Sequence, residues 1–239
     1  MTWYIKKLED DVATLFGREQ ASLLSSSLAS IFENYDFARY HYQEVKRLIN
    51  NHMTGKEHPS EYVMLVLTRD IQVLSSEQEF KLAYRANVLA LLKNLHSISD
   101  FLAHVIYYAF GLNIDKNTFI QSEKLNLYQV KMSLKKRKEF GEILDVLEQL
   151  TNHHDYHYLK KVVNYTKHRS NILSNLSYDP NKYGEEIYKF SFKSFDLYEE
   201  VPVNDFLTRE YNRENALIIE LGNKLNQSVS GMLANLKAV

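Results

Sequence analysis

Tyr84-Arg-Ala-Asn-Val88-Leu-Ala-Leu91-Leu-Lys-Asn-Leu95-His-Ser-Ile98-Ser-Asp-Phe-Leu102-Ala-His-Val105-Ile-Tyr-Tyr-Ala109 decides the fold class. Tyr84, Leu91, Ile98 and Val105 recur every seven residues, and Val88, Leu95, Leu102 and Ala109 follow four residues behind. Two interleaved seven-residue series place one apolar seam along a helix. Ser76 with Glu79 reads as a capping box at its start and Gly111 as its stop. A helix over 77–112 would be about 50 Å long.

Outward from that helix, periodicity predicts a short amphipathic helix over 2–17, carried by Trp3, Leu8, Val12 and Leu15. A longer one follows over 18–52, where Leu23, Leu24, Leu28, Ile31, Tyr35, Ala38, Tyr42, Val45 and Leu48 form a stripe. Residues 53–60 read as a loop, and 61–74 suit a helix or a strand, with helix preferred. Residues 113–134 read as a loop with a short helix, and 135–151 and 154–176 as helices. After a turn-rich break over 177–184 the period changes. Tyr188, Phe190 and Phe192 alternate with polar residues, and Phe195 and Leu197 continue in the opposite phase. That pattern predicts a bent strand or a hairpin. Residues 204–237 return to helix, with Asn204 or Asp205 as cap. The expected architecture is all-α, an up-down bundle of long helices in one domain over 1–239, with a small β insertion near 186–200.

Composition agrees. Of 239 residues, 45% are hydrophobic and 25% charged, enough to bury a core. Seven Gly and three Pro leave little material for tight turns. The absence of cysteine removes disulfides and thiolate metal sites. A net charge of −1 gives no global preference for nucleic acid or membrane, so any such preference must be local. No export signal is apparent, and Phe101–Leu112 contains His104 and is too short to span a bilayer. A cytoplasmic protein with no membrane association is expected.

Motifs for common chemistries are missing: the Walker phosphate loop, G-x-G-x-x-G, H-E-x-x-H, G-x-S-x-G and the di-iron Glu-x-x-His pattern. Four constellations remain. His96, Asp100 and His104 are spaced by four on one helix face, away from the heptad seam. They suit a metal, a proton relay or a solvated stripe. His153, His154 and His157 cluster at a helix start and suit zinc or simple exposure. His157, Lys161, Asn164 and His168, extended by Asn171 and Asn175, share a face opposite Leu159, Val162, Thr166 and Leu173. Lys167 and Arg169 flank His168. RNA cleavage needs a base for the 2′-hydroxyl, an acid for the leaving oxygen and a cation for the phosphate, and this stripe carries all three types. A polar outer face is the bland reading of the same residues. Finally, Lys131, Lys135, Lys136, Arg137 and Lys138 form a basic run suited to a phosphate backbone or to a solvated helix start. Near a helix N-terminus such cations would be mildly unfavourable.

Val163-Asn164-Tyr-Thr-Lys-His168 resembles the motif of the HEPN superfamily, in which an Arg, usually followed by a polar residue such as Asn, precedes a His on a late helix. Asn164 and His168 match the polar residue and the His, and Val163 occupies the place of the Arg. The stretch His96-Ser-Ile-Ser-Asp100-Phe-Leu-Ala resembles the acidic helix packed beside the motif helix, and the likeness covers about 77–176. The resemblance implies a helical bundle of toxin–antitoxin or antiviral type, often a homodimer with an RNA cleft between paired motif helices. In active members cleavage is metal-independent.

Three functions follow as expectations. The first is a HEPN-like RNA-associated protein. It is a metal-independent endoribonuclease, or a degenerate RNA- or nucleotide-binding relative that does not cut. His168 would be the acid/base and Asn164 a phosphate or ribose contact. Lys161, Lys167, Arg169 and His157 would hold phosphate, and His96, Asp100 and His104 would support. No cofactor or metal is implied, and an antitoxin-like protein is a candidate partner. The second is a non-catalytic interaction module using Phe32, Tyr35, Tyr40 and Tyr42. The third is a metal-binding bundle built on His96, Asp100 and His104 with His157 or His168.

Overall fold

The computed structural model describes residues 3–56, 58, 61, 65, 67–179 and 188–238, the side chains of the last stretch from 189. The fold is all-α with small antiparallel hairpins. The α-helices bounded among the described residues are α1 (Ile5–Phe16), α2 (Arg18–Met53), α3 (Ile71–Ala109), α4 (Leu127–Leu134), α5 (Gly141–Thr151), α6 (His154–His168) and α7 (Val203–Lys237). Between α6 and α7 lie β1 (Ser177–Tyr178), β2 (Tyr188–Lys189), β3 (Ser191–Phe192) and β4 (Val201–Pro202). No helix among the described residues is long and apolar enough to cross a membrane. The chain divides into two compact units, each assembled from three stretches or two: residues 1–35, 95–157 and 211–239 in the first, and 36–94 and 158–210 in the second.

The heptad series is the core of α3. Tyr84, Val88, Leu91, Leu95, Ile98, Leu102, Val105 and Ala109 are all buried, none more than 1% exposed. Gly111 ends the helix as expected, with φ at +60° and the Leu112 N–H bonded to the Tyr107 carbonyl at 3.0 Å. The start lies earlier than the capping box implied. Asp70 Oδ1 accepts from the Gln72 N–H at 2.8 Å, and Ser76 and Glu79 sit inside the helix. Glu61, Leu65 and Leu67 are helical, while the rest of 61–66 falls outside the described residues.

In the first unit, apolar faces of α1, α2, α3, α5 and α7 supply the core, with Leu8, Leu28, Leu102, Phe140, Leu147 and Leu225 fully enclosed. Phe110 and Phe140 meet at 4.1 Å between ring centroids. Gln20 is buried, and its amide and that of Asn113 exchange hydrogen bonds at 2.7 and 2.8 Å, pinning the start of α2 beside the end of α3. Gly222 is required where Trp3 crosses α7, because a Cβ there would lie 2.1 Å from the indole ring.

In the second unit the core is aromatic. Tyr84 stacks on Phe190 at 3.9 Å, and Tyr158 packs edge-on against Phe206 at 4.8 Å. The hairpins carry these rings. Phe190, Phe192 and Phe195 are buried, as the alternation predicted. Leu197 is 99% exposed, because it is no strand residue. It sits with Asp196, φ +47°, in the two-residue turn closed by reciprocal Phe195–Tyr198 backbone bonds. Strands β1 and β2 pair Ser177 with Lys189, and β3 and β4 pair Phe192 with Val201.

Three other boundaries differ from the sequence reading. Residues 138–140 form a 3₁₀ turn, and α5 starts at Gly141 rather than 135. Helix α6 stops at His168, and Leu173 is buried by bridging to Phe192 instead of by facing inward from a helix. Helix α7 opens directly from β4 at Val203, so Asn204 and Asp205 lie within its first turn.

Candidate nucleic-acid interface

Helix α6 starts at a compact polar turn. The Asp155 N–H bonds to His153 Nδ1 at 3.1 Å, and the Asp155 carboxylate, itself buried, lies 3.6 Å from His154 Nδ1. A carboxylate in the first turn suits the helix dipole. From there the faces separate cleanly. Tyr158, Leu159, Val162 and Val163 are buried, and His157, Lys160, Lys161, Asn164, Lys167 and His168 are exposed. These exposed positions follow the i, i+3, i+4, i+7 spacing of one helical face. Asn164 and His168 are therefore one turn apart on solvent, as the spacing predicted.

The face is basic because its sequence contains no acid. From Tyr156 to Tyr178 there is no Asp or Glu, against Lys160, Lys161, Lys167 and Arg169. Arg169 is committed locally. Its Nη1 pairs with Asp196 at 3.1 Å, and its guanidinium lies 5.2 Å from the Tyr165 ring centre. Lys160, Lys161 and Lys167 have no carboxylate partner among the described residues. The span from Lys160 to Lys167 is about 10 Å of helix, long enough to face more than one phosphate of a strand.

Val163 is 7% exposed and belongs to the inner face. The position where the resembled family carries Arg is thus core in this chain. Asn171 and Asn175 leave the stripe, since the chain is extended beyond Arg169; Asn171 Oδ1 accepts from the Leu173 N–H at 3.0 Å.

The other constellations resolve differently. His96 and His104 are half-buried and Asp100 is exposed. His104 Nδ1 lies 3.0 Å from the Asp100 carbonyl oxygen, and Ser99 Oγ donates to the His96 carbonyl at 2.9 Å. They belong to the first unit, whereas Lys160 to Arg169 belong to the second. The basic run is divided: Lys131 and Lys135 sit at the C-terminal end of α4, where cations suit the dipole, and Arg137 and Lys138 open the 3₁₀ turn before α5. Lys131 donates to Thr151 Oγ1 at 2.8 Å, Lys135 pairs with Glu148 at 3.3 Å, and Arg137 pairs with Glu139 and covers Phe140.

Sequence reasoning missed one group. His52, in the last turn of α2, stacks flat on Phe80 at 3.8 Å, and only 6% of its side chain is exposed. Its Nδ1 lies 3.4 Å from Lys56 Nζ, and Nε2 lies 3.4 Å from Glu77. Glu77 also receives Lys56 at 3.6 Å and Lys81 at 3.9 Å. Burial, then Lys56 and Lys81, pull the His52 pKa down to about 4. The nearby carboxylate does not reverse this, because two ammonium groups share it. A cavity of about 380 Å³ adjoins the cluster. The only sequence signal was a His three residues after the apolar Ile49, too weak to single it out.

Comparison with protein-family models, with curated proteins and with solved structures returned no match.

Proposed function

We propose that this chain is a HEPN-like, RNA-associated helical protein that binds the phosphate backbone along the outer face of α6 without depending on cleavage. The observation that carries the reading is the acid-free run from Tyr156 to Tyr178, whose helical part to His168 presents an exposed stripe with three lysines that have no carboxylate partner among the described residues. Cations presented on one face gain affinity for nucleic acid by releasing its counterions. Asn164 adds a donor and acceptor for ribose or base, and His168 a further donor at the helix end. Binding is favoured over cutting because Val163 is buried and Arg169 is held by Asp196, so no guanidinium is poised over a scissile phosphate. Self-association through this helix would double the stripe, as the family resemblance implies.

The test is titration of a fluorescent single-stranded RNA with wild-type protein and with a Lys160→Glu/Lys161→Glu/Lys167→Glu variant across a salt series. All three side chains are exposed, so the variant should fold. The expected result is loss of most affinity, with the salt slope falling by about 2 for three lost single-strand phosphate contacts. Equal binding by both proteins would remove the proposal. Incubation of the RNA in EDTA beside His168→Ala separates the alternatives. Cleavage by the wild type alone would replace binding with metal-independent ribonuclease activity.

A further inference from the structure

Of the Lys and Arg residues between Tyr156 and Tyr178, only Arg169 meets a carboxylate among the described residues. That carboxylate comes from outside the acid-free run: Asp196, in the turn between β3 and β4. Arg169 Nη1 donates to Asp196 Oδ1 at 3.1 Å, and the two side chains are 63% and 44% exposed. It is a single contact, made largely in solvent, by a group with about five N–H donors. An exposed pair of this kind shifts an equilibrium by about fivefold at most. The bond is therefore weak enough to exchange.

The turn that delivers Asp196 is firm. Reciprocal backbone bonds between Phe195 and Tyr198, at 3.1 and 2.9 Å, close it, and Asp196 takes φ +47°, which Asp and Asn tolerate better than most residues. The buried Phe195 ring lies 5.0 Å from the Tyr165 ring, which ties the turn to α6 one turn before Arg169. The Arg169 guanidinium lies 5.2 Å from the same Tyr165 ring centre. The carboxylate is thus fixed, and the partner with freedom to turn is the long arginine side chain. Lys161, Tyr165 and Arg169 follow one another at intervals of four. The guanidinium therefore stands at the end of the lysine stripe, about 12 Å along the axis from Lys161.

We infer that Arg169 is a fourth phosphate ligand of this face, exchanged from Asp196 to RNA once the lysines bring a strand in, and that Asp196 sets the strength of that binding. The inference rests on the reading of α6 as an RNA-binding face. A phosphodiester carries the same single charge as a carboxylate, so for Arg169 alone the exchange is close to balanced. Two factors tip it. A guanidinium can hold a phosphate through two parallel donors, where Asp196 takes one. Lys160, Lys161 and Lys167 hold the rest of the strand nearby and so raise the local concentration of phosphate. A lone phosphate group has no such help and leaves the ion pair in place. Nor does the exchange create a nuclease, because a cation that must first leave a carboxylate is not preorganised for a transition state.

The test is titration of a fluorescent single-stranded RNA with wild type, Asp196→Asn, Arg169→Gln and the double variant, with Glu199→Gln as a charge control on the same hairpin. Asn suits the positive φ of Asp196, so the first substitution removes the charge and keeps the turn. At about 0.15 M salt, charges more than about 8 Å apart are largely screened, which separates a direct competitor from a distant acid. Asp196→Asn should tighten RNA binding by about twofold to fivefold, and Glu199→Gln by less. Arg169→Gln should weaken it by a similar factor and lower the salt slope by about 0.7, one single-strand phosphate contact. In the Arg169→Gln background, Asp196→Asn should gain no more than Glu199→Gln does. Binding by Asp196→Asn no tighter than wild type, an equal gain with and without Arg169, or indifference to Arg169→Gln would each overturn the inference. If the Lys160/Lys161/Lys167 variant still loses its affinity in those cases, the exchange alone has failed. If wild type binds no RNA, or the lysine variant binds as well as wild type, the reading of α6 falls and the exchange falls with it.

Discussion

His52 and His168 occupy the same local position, the last turn of a helix, and have opposite surroundings. A helix C-terminus as such favours a charged imidazolium. At His52 that preference is overwhelmed: the ring lies flat on Phe80, faces two lysines and stays neutral down to about pH 4. His168 stands on solvent at the end of a basic stripe. The dipole contributes about 1 kcal/mol, and losing water around a charge costs several times that. Tertiary burial therefore decides what a histidine can do, and its place on its own helix decides little. One residue became part of the frame, and the other is left available to a ligand.

The largest expected effect tests whether the α6 face is as sharply divided as the burial indicates. Val163→Arg restores the residue type of the resembled motif, but places a guanidinium where only 7% of the native side chain is exposed. Part of the long side chain can reach toward water, so the cost should be about 2–4 kcal/mol in chemical denaturation, short of a fully buried unpaired charge. A variant as stable as wild type that cleaves RNA in EDTA would show that position 163 can turn outward and that the lost Arg alone had silenced the site.

The next effect concerns the buried partner. The folded pKa of His52, about 4, lies below its ordinary 6.5. As pH falls from about 6.5 to about 4, the unfolded chain takes up the proton and the folded chain does not. Stability from this group is thus complete above about pH 6.5 and drains away as the pH falls toward 4. Thermal melts of the wild type should drop by several degrees between about pH 7 and pH 4.5. His52→Gln cannot titrate, and its melts should fall less over the same window. Identical pH profiles would mean that the ring is solvated or that Glu77 holds it charged.

What the sequence disclosed tracks how local the cause was. The α3 seam was legible because its eight core positions obey one period, and so were the buried Phe190 and Phe192, whose alternation needs no partner to be visible. The polar face of α6 was legible for the same reason through residue 168. Its continuation to Asn171 and Asn175 was wrong because the chain leaves the helix where Leu173 finds Phe192, a contact made by a segment 19 residues later. The early start of α3 depended on Asp70, one capping side chain ahead of a stronger-looking box. His52 was illegible because Phe80, Glu77 and Lys81 reach it from a different helix, and the Tyr42–Thr208 contact likewise joins residues 166 positions apart. Periodicity reports which face is inside; it carries no information about which outside faces will meet.

The smallest effect is the one most specific to the exposed histidine. His168→Ala removes a side chain that packs against nothing in the core and ends the helix, so stability should change by no more than about 0.5 kcal/mol. The backbone cap survives, since the Arg169 and Ser170 N–H groups bond to the Tyr165 carbonyl at 2.9 and 3.2 Å without the imidazole. RNA affinity should fall by roughly twofold to fivefold, the worth of one solvent-exposed polar contact beside the three lysines. That small loss is informative because His52→Ala should do the reverse, lowering the melting temperature at neutral pH and leaving RNA affinity of the folded protein unchanged. If both substitutions lower stability alike, His168 is held by the fold, and the division of α6 into a buried face and a binding face is drawn one turn too far.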